Sequence, residues 1–188
     1  RNQLEIDEGD PFNEILEKRT INNLQNLRFF KSVKSEILPG NTKNSKIINI
    51  FVEEKATGEI MAGAGIGTNG ASMMFSVNEN NYLGKGIKLS NTLLLTEESI
   101  KGSFSVTNPN FKNTDKSIYT SIEAIETDNF KTTGYKSNKT GFSVGTNFEL
   151  LDDFFFGLGN TNFYEKIDTN DTASDRQKAQ EGNYWDTF

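Results

Sequence analysis

The 188-residue sequence contains no cysteine and no histidine. Without thiols there are no disulfides or thiolate metal centres; without imidazole the usual near-neutral base and zinc ligand are missing, so hydrolytic triads and ordinary zinc sites drop out. Proline is scarce, at three residues, and no segment offers the ~20 predominantly apolar residues of a membrane-spanning helix. The longest uncharged stretch, Ile60 to Asn78, is interrupted by Gly63, Gly65, Gly67, Asn69 and Gly70. Lys and Arg number 20 against 26 Asp and Glu, a net charge of −6, and the cations form no stripe interleaved with aromatics. That balance argues against a nucleic-acid surface. The chain opens on Arg1 without a charged-then-apolar leader and reads as a cut rather than a natural start.

A hydrophobic content of 34% and a mean hydropathy of −0.59 would ordinarily describe a soluble acidic protein. A β-barrel wall makes that inference unsafe, because only one face of each spanning strand must be apolar. Periodicity has to decide. From Gly58 to Glu165 the chain is a succession of roughly ten-residue stretches of alternating apolar and polar residues, separated by Gly, Asn and Asp turns. In Phe142-Ser-Val144-Gly-Thr146-Asn-Phe148-Glu-Leu150 every even position can face hydrocarbon and every odd one is small or polar. Ile100, Gly102, Phe104 and Val106 likewise alternate with Lys101, Ser103, Ser105 and Thr107, and Ile118, Ile122 and Ala124 with Tyr119, Ser121 and Glu123.

Seven strands are expected here, at about Gly58–Gly67, Ala71–Glu79, Gly86–Thr96, Ile100–Thr107, Ser117–Thr127, Gly141–Leu150 and Phe154–Glu165. In an up-and-down meander the connections fall on alternate sides. The long ones, near Asp128–Asn138 and Lys166–Asn183, share a side with the tight turns Thr68–Gly70 and Glu97–Ser99. The opposite side has the shorter turns Asn80–Lys85, Asn108–Lys116 and Leu151–Asp153, which include or adjoin Tyr82, Phe111 and Phe154, as an interfacial aromatic girdle would. The terminal Tyr184-Trp185-Asp-Thr-Phe188 resembles a closing strand of outer-membrane barrels, although a strand cut by truncation is the plainer reading.

Ahead of the strands, Asp10-Pro11 predicts a helix start, with Asp capping free amides, Pro at a position that needs no amide, and Glu14 near the positive helix end. Phe12, Ile15, Leu16, Ile21, Leu24 and Leu27 recur at three- and four-residue steps and predict one buried stripe along Pro11 to Leu27. Phe29–Ile37 and Lys46–Val52 read as two strands joined by a Pro-Gly-Asn turn, with Glu53–Thr57 as linker. A helix packed on a hairpin is too little for a good core alone.

Chemistry-bearing motifs weigh little. Gly65-Ile-Gly67-Thr-Asn-Gly70 spells G-x-G-x-x-G, yet Ala71–Val77 continues as a strand where a dinucleotide site needs a helix N-terminus. Asp168, Asn170, Asp171 and Asp175 lack the Gly and closing Glu of a calcium loop. Glu123, Glu126, Asp152 and Asp153 have no recognisable acid–base partners and suit lumen lining and turns. No enzyme, cofactor or metal is expected. Gly63, Gly65 and Gly67 alternate with Ala62, Ala64 and Ile66. Either small residues fit a crowded interior, or the strand is weakened so that its pairing can open.

Five blocks in order carry a resemblance: Leu24-Gln-Asn-Leu27-Arg-Phe29-Phe30-Lys-Ser-Val33, Glu54-Lys-Ala-Thr57-Gly58, Gly63-Ala-Gly65-Ile-Gly67-Thr68, Asn81-Tyr82-Leu83-Gly84-Lys-Gly86 and Ser105-Val-Thr107-Asn-Pro109-Asn-Phe111. Together they resemble the BamA family of bacterial outer-membrane protein assembly factors, over nearly the whole chain, with agreement thinning after Phe111. The sequence departs from that pattern at Arg28, where relatives commonly have Gly; Arg there implies strain or a different helix exit.

The resemblance implies an α+β POTRA (polypeptide-transport-associated) remnant over residues 1–55 and, over 56–188, about seven of sixteen antiparallel strands of a transmembrane β-barrel. The barrel would sit in the outer membrane and the POTRA part in the periplasm. It implies assembly and insertion of other β-barrel proteins, with Ile60, Met61, Ala62, Gly63, Ala64, Gly65, Ile66 and Gly67 as the lateral-gate strand on which a client strand adds. The partners would be unfolded outer-membrane β-barrel proteins, accessory lipoproteins and the lipid bilayer, with Phe30, Val33, Ser35 and Ile37 as a POTRA docking edge. A translocation-assembly or two-partner-secretion transporter shares this architecture. A passive porin or receptor also shows alternating strands, but lacks the helix-hairpin module and any reason for a glycine-weakened first strand. A soluble β-sandwich is a third option. Seven strands cannot close, so exposed edges are expected.

Overall fold

The computed structural model describes residues 3–42, 44–67, 70–151 and 154–188. The turns expected at Thr68–Gly70 and Leu151–Asp153, the middle of the G-x-G-x-x-G segment and the pair Asp152 and Asp153 lie wholly or partly outside the described residues. The chain divides into two compact units, one up to Thr57 and one from Gly58 to Phe188.

In the first unit, helix α1 spans Glu14–Asn26. It starts later than Asp10-Pro11 suggested, because Asn13 is the cap: its side-chain oxygen accepts the Ile15 N–H at 2.8 Å. Asp10 instead closes a turn by accepting the Asp7 N–H at 3.0 Å. Lys18 donates to Glu14 across one helical turn at 2.7 Å, which holds the Glu14 carboxyl below its ordinary pKa. The expected apolar stripe is only half-buried; Ile15 is 64% exposed, and the most buried helical residues are Glu17 and Thr20. Their polar groups are satisfied, since Ser35 donates to Glu17 and Thr20 Oγ1 accepts the Glu5 N–H. The helix exits through Arg28 at φ 60°, so the left-handed exit that glycine favours is kept with a residue that adopts it at a cost.

Strands β1 (Phe30–Pro39) and β2 (Lys46–Glu54) form an antiparallel hairpin that pairs Val33 with Val52, Ser35 with Ile50 and Ile37 with Ile48. Val33, at 6% exposure, and Ser35 lie on the face that meets α1, through the Glu17 contact in the second case.

The second unit is one antiparallel meander of eight strands rather than seven: β3 (Gly58–Gly67), β4 (Gly70–Tyr82), β5 (Ile87–Thr96), β6 (Ser99–Asn108), β7 (Lys116–Asn129), β8 (Tyr135–Leu151), β9 (Phe154–Thr169) and β10 (Gly182–Thr187). Spatial order follows chain order, with β3 and β10 at the two ends. The terminal Tyr184-Trp185 segment is thus an added strand on β9, pairing Trp185 with Tyr164. Neither expected long connection is a free loop over its whole length. Pairing between β7 and β8 continues outward to Asn129 and Tyr135, leaving only residues 130–134 to turn. Strand β9 runs on to Thr169, and the remaining connection holds a short helix, α2 (Asp175–Lys178), capped by Ser174 and Gln177.

Cross-strand pairing explains three inner-face glycines. Gly141 is covered by the Phe163 ring, and the Tyr119 phenol lies over Gly145 and Gly159, which share its register row. A Cβ on Gly141 would overlap that ring and the Asn162 carbonyl, whereas one on Gly63 meets nothing within 4 Å. Gly141→Ala should therefore lower the heat-resistant folded fraction of the intact protein by about 1–3 kcal/mol of stability. Gly63→Ala should leave it level or slightly raised. Equal losses in an electrophoretic-mobility assay would show that the two glycines share one role.

Candidate functional site

The register places every second residue of the eight-stranded sheet on a common face. One face carries the row Glu59, Asn78, Ser90, Ser105, Ser121, Ser143 and Thr161. Its side chains bond to one another: Ser90 to Asn78 at 2.6 Å, Ser143 to Thr161 at 2.9 Å, Ser137 to Glu165 at 2.6 Å, with Lys101 paired to Glu123 at 2.8 Å. Polar groups arranged this way remain wet or mutually satisfied.

The opposite face carries Ile60, Val77, Phe104, Ile122 and Phe142 in one register row and Ala62, Phe75, Leu93 and Trp185 in another. These residues are solvent-exposed in the isolated sheet, Ile60 by 84%, Ile122 by 57% and Trp185 by 75%. A continuous apolar surface of this kind needs a non-aqueous neighbour. Among the described residues no helix is long and apolar enough to cross a membrane; the strands are the elements with a membrane-type face.

The apolar band is tilted. Gly58, Glu79, Leu89, Val106, Thr120, Val144 and Asn160 form one register row. On β3 the apolar residues Ile60, Ala62, Ala64 and Ile66 all lie to one side of it, and on β9 Leu158, Phe156 and Phe154 all lie to the other. A barrel wall tilted by 35–45°, with strands ≈4.8 Å apart, drifts by about one residue per strand, and the drift from β3 to β9 has that size. The band then leaves the outer ends of β7, β8 and β9 beyond it, and there the same face turns charged. Lys136 bridges Glu126 at 2.6 Å and Asp128 at 3.2 Å, and Lys166 meets Asp168 at 2.8 Å.

The expected strand-edge residues Ile60, Met61, Ala62, Gly63, Ala64, Gly65, Ile66 and Gly67 lie together along β3, the terminal strand of the sheet. All are exposed; a Cβ on Gly63 or Gly67 would meet nothing within 4 Å, so packing within this chain does not explain those two, whereas one on Gly65 would press on the Ser72 hydroxyl at 3.3 Å. The second expected set is not a shared exposed surface. Val33 is buried, Ser35 is bonded to Glu17, Phe30 is half-buried and Ile37 is exposed. Strand addition at β1 would run through its main chain. An open cleft of about 760 Å³ in the first unit is lined by apolar Ile6, Phe12, Ile21, Ile48 and Ile50 together with charged Asp7, Asp10, Glu17 and Lys46. Among the described residues no cluster of carboxylates could hold a metal ion. The expected strands stop at Thr127, Gly141 and Glu165, short of the outer extensions, because charged Asp128, Lys136, Lys166 and Asp168 look like loop, although their even spacing continues the strand period.

No family model matches the chain. It is 32% identical over 97 residues to a putative outer membrane protein assembly factor of Treponema pallidum, a match covering 48% of this chain and 12% of that protein. A crystal structure of BamA from Haemophilus ducreyi lacking POTRA domains 1–3 superposes over 99% of this chain with a TM-score of 0.82 at 21% identity. The chain has a BamA-like fold. CdiB from Acinetobacter baumannii matches over 88% with a TM-score of 0.50 at 12% identity. At these identities both structural likenesses are likenesses of fold. The chain spans 38% of the BamA chain and 35% of the CdiB chain, so its relatives are considerably longer.

The BamA-like face assignment is directly testable. In the intact protein Val144→Arg, on the apolar face, should cost about 2–4 kcal/mol if it sits near the bilayer midplane, and Ser143→Arg on the polar face much less. Equal losses of folded barrel, read by urea titration in lipid vesicles, would reverse or erase the two faces.

Proposed function

We propose that the protein containing this chain assembles and inserts β-barrel proteins into the bacterial outer membrane, and that β3 is the template on which a client strand pairs. The observation that carries the reading is a wall of BamA-like fold whose first strand carries Gly63, Gly65 and Gly67, with Gly63 and Gly67 uncrowded, at one end of the sheet. An edge strand offers a row of unpaired main-chain groups, and an extended segment can add to it whatever its side chains are. The chemistry needs no nucleotide, metal or covalent step.

On this reading, residues up to Thr57 are the end of a POTRA domain in the periplasm, supported by a likeness that extends over 99% of the chain. The second unit is the first eight strands of the barrel, and β1 or β2 offers an edge for accessory lipoproteins or unfolded clients. Two-partner secretion is the alternative that shares this architecture; there the barrel would export its substrate rather than release it sideways.

On this reading the turn at 130–134 and the 170–181 connection, which share the side opposite Gly58, face the cell exterior, because outer-membrane barrels carry their longer loops there. Ser137, which points inward and bonds to Glu165, is a poor reporter, so cysteine is better placed at exposed Lys131 or Asp171. A membrane-impermeant maleimide should label both on intact cells; labelling only after the outer membrane is breached would invert the topology.

The template role predicts that cysteines at Ile60, Ala62 or Ala64 form disulfides with cysteines in the terminal strand of a stalled client, with partners moving in step along both strands. A disulfide locking β3 to the last strand of its own barrel should block client insertion. If locking leaves insertion unimpaired and no client cross-link forms, the gate reading falls; if a soluble substrate is exported instead, the secretion reading takes its place.

A further inference from the structure

On the side of the sheet opposite Gly58, the described turns are tied to one another in series. The β4–β5 ladder ends at the pair Ser72 and Thr96, and one step further Glu97 leaves the strand, so its backbone no longer serves Ala71. Its carboxylate does instead: Glu97 Oε1 accepts the Ala71 N–H at 3.1 Å and fills the space that a Cβ on Gly70 would need. The neighbouring Glu98 carbonyl accepts the Asp128 N–H at 2.8 Å, and the Asn129 amide, oriented to satisfy both its ends, donates to Glu98 Oε2 at 3.0 Å. Asn170 completes the series, donating its N–H to the Gly134 carbonyl at 2.9 Å and its side-chain amide to the Phe130 carbonyl at 3.1 Å.

Described turns on the Gly58 side carry bonds that close within one turn: Gly84 donates to the Asn81 carbonyl, Gly86 to Asn81 Oδ1, Asn113 to the Asn110 carbonyl and Thr114 to the Phe111 carbonyl. Strand β3 needs the outer tie because its half nearest Gly67 is Gly63-Ala-Gly65-Ile-Gly67, which offers few side-chain contacts to hold the β3–β4 register.

We infer that Glu97 is a positioning residue for the β3 edge. Through β4 it anchors the β3–β4 hairpin to the belt of outer turns and so fixes the Gly67 end of the hairpin. The inference rests on the reading of β3 as a client template. The belt gives the edge a fixed end: a pairing strand can displace neighbours along β3 without the hairpin losing register as a whole.

The test uses the intact protein in lipid nanodiscs, with peptide-resolved hydrogen exchange and client-insertion rates for Glu97→Ala and Glu97→Gln. Glu97→Ala removes the acceptor; exchange over residues 70–76 should accelerate about tenfold, with β5 to β9 unchanged, and client insertion should slow several-fold at an unaltered folded fraction. Glu97→Gln keeps an acceptor oxygen and should restore both. Unchanged exchange in Glu97→Ala, acceleration spread over every strand, or failure of Glu97→Gln to rescue would overturn the inference. Loss of the wild-type client cross-links along Ile60–Ala64 would sink the template reading itself. Those cross-links persisting with unchanged exchange would remove only the role of Glu97.

Discussion

Everything in the larger unit depends on where the backbone hydrogen bonds of each strand go. In hydrocarbon no water compensates an unpaired N–H or C=O, so a wall of strands is admissible only if each is paired on both sides, and the pairing must keep one face apolar along its whole length. The sheet from β3 to β10 meets that condition at every interior strand and leaves it open at the two ends. A shift of one residue anywhere would move Ile122 and Phe142 to the wet face and Ser121 and Ser143 into lipid, so burial of one face and register enforce each other.

On the proposed template reading, the same constraint would let the β3 edge act without any reactive side chain. Main-chain donors and acceptors recognise any extended segment, so a strand edge can serve many clients while discriminating little among them. On that reading the small residues Gly63, Gly65 and Gly67 and the tether at Glu97 would be complementary: the first would lower the cost of exchanging partners, and the second would preserve register while partners exchange. The interior of the sheet is reinforced instead. Tyr119 over Gly145 and Gly159, and Phe163 over Gly141, fill glycine gaps that the edge leaves empty.

The first unit is held by different physics. Its helix meets a two-stranded hairpin with few fully buried apolar side chains, and the contacts that fix it are polar: Glu17 with Ser35, Thr20 with the Glu5 amide, Asn23 with the Glu5 carboxylate. Such bonds orient the helix but add modest net stability, about 0.5–1.5 kcal/mol each. A unit built this way is suited to move or to be completed by an added strand.

Alternation is a local property, written residue by residue, so the sequence alone determined the β class, the two faces and six of the seven expected strand cores to within a few residues, with the absence of a spanning helix. The same holds for the helix before them, though not for its cap, because Asp10 and Asn13 are both competent caps and only the Asp7 turn decided between them. What tertiary structure decided was everything carried by pairing at long sequence separation. Strand β10 is a strand because β9 offers it an edge, and the charged ends of β7, β8 and β9 are strands because Glu126, Asp128 and Lys136 find one another across the ladder. Tyr119 meets Gly145 and Gly159, and Glu97 meets Ala71, only once register is set. Register is a relation between strands, and no single strand contains it.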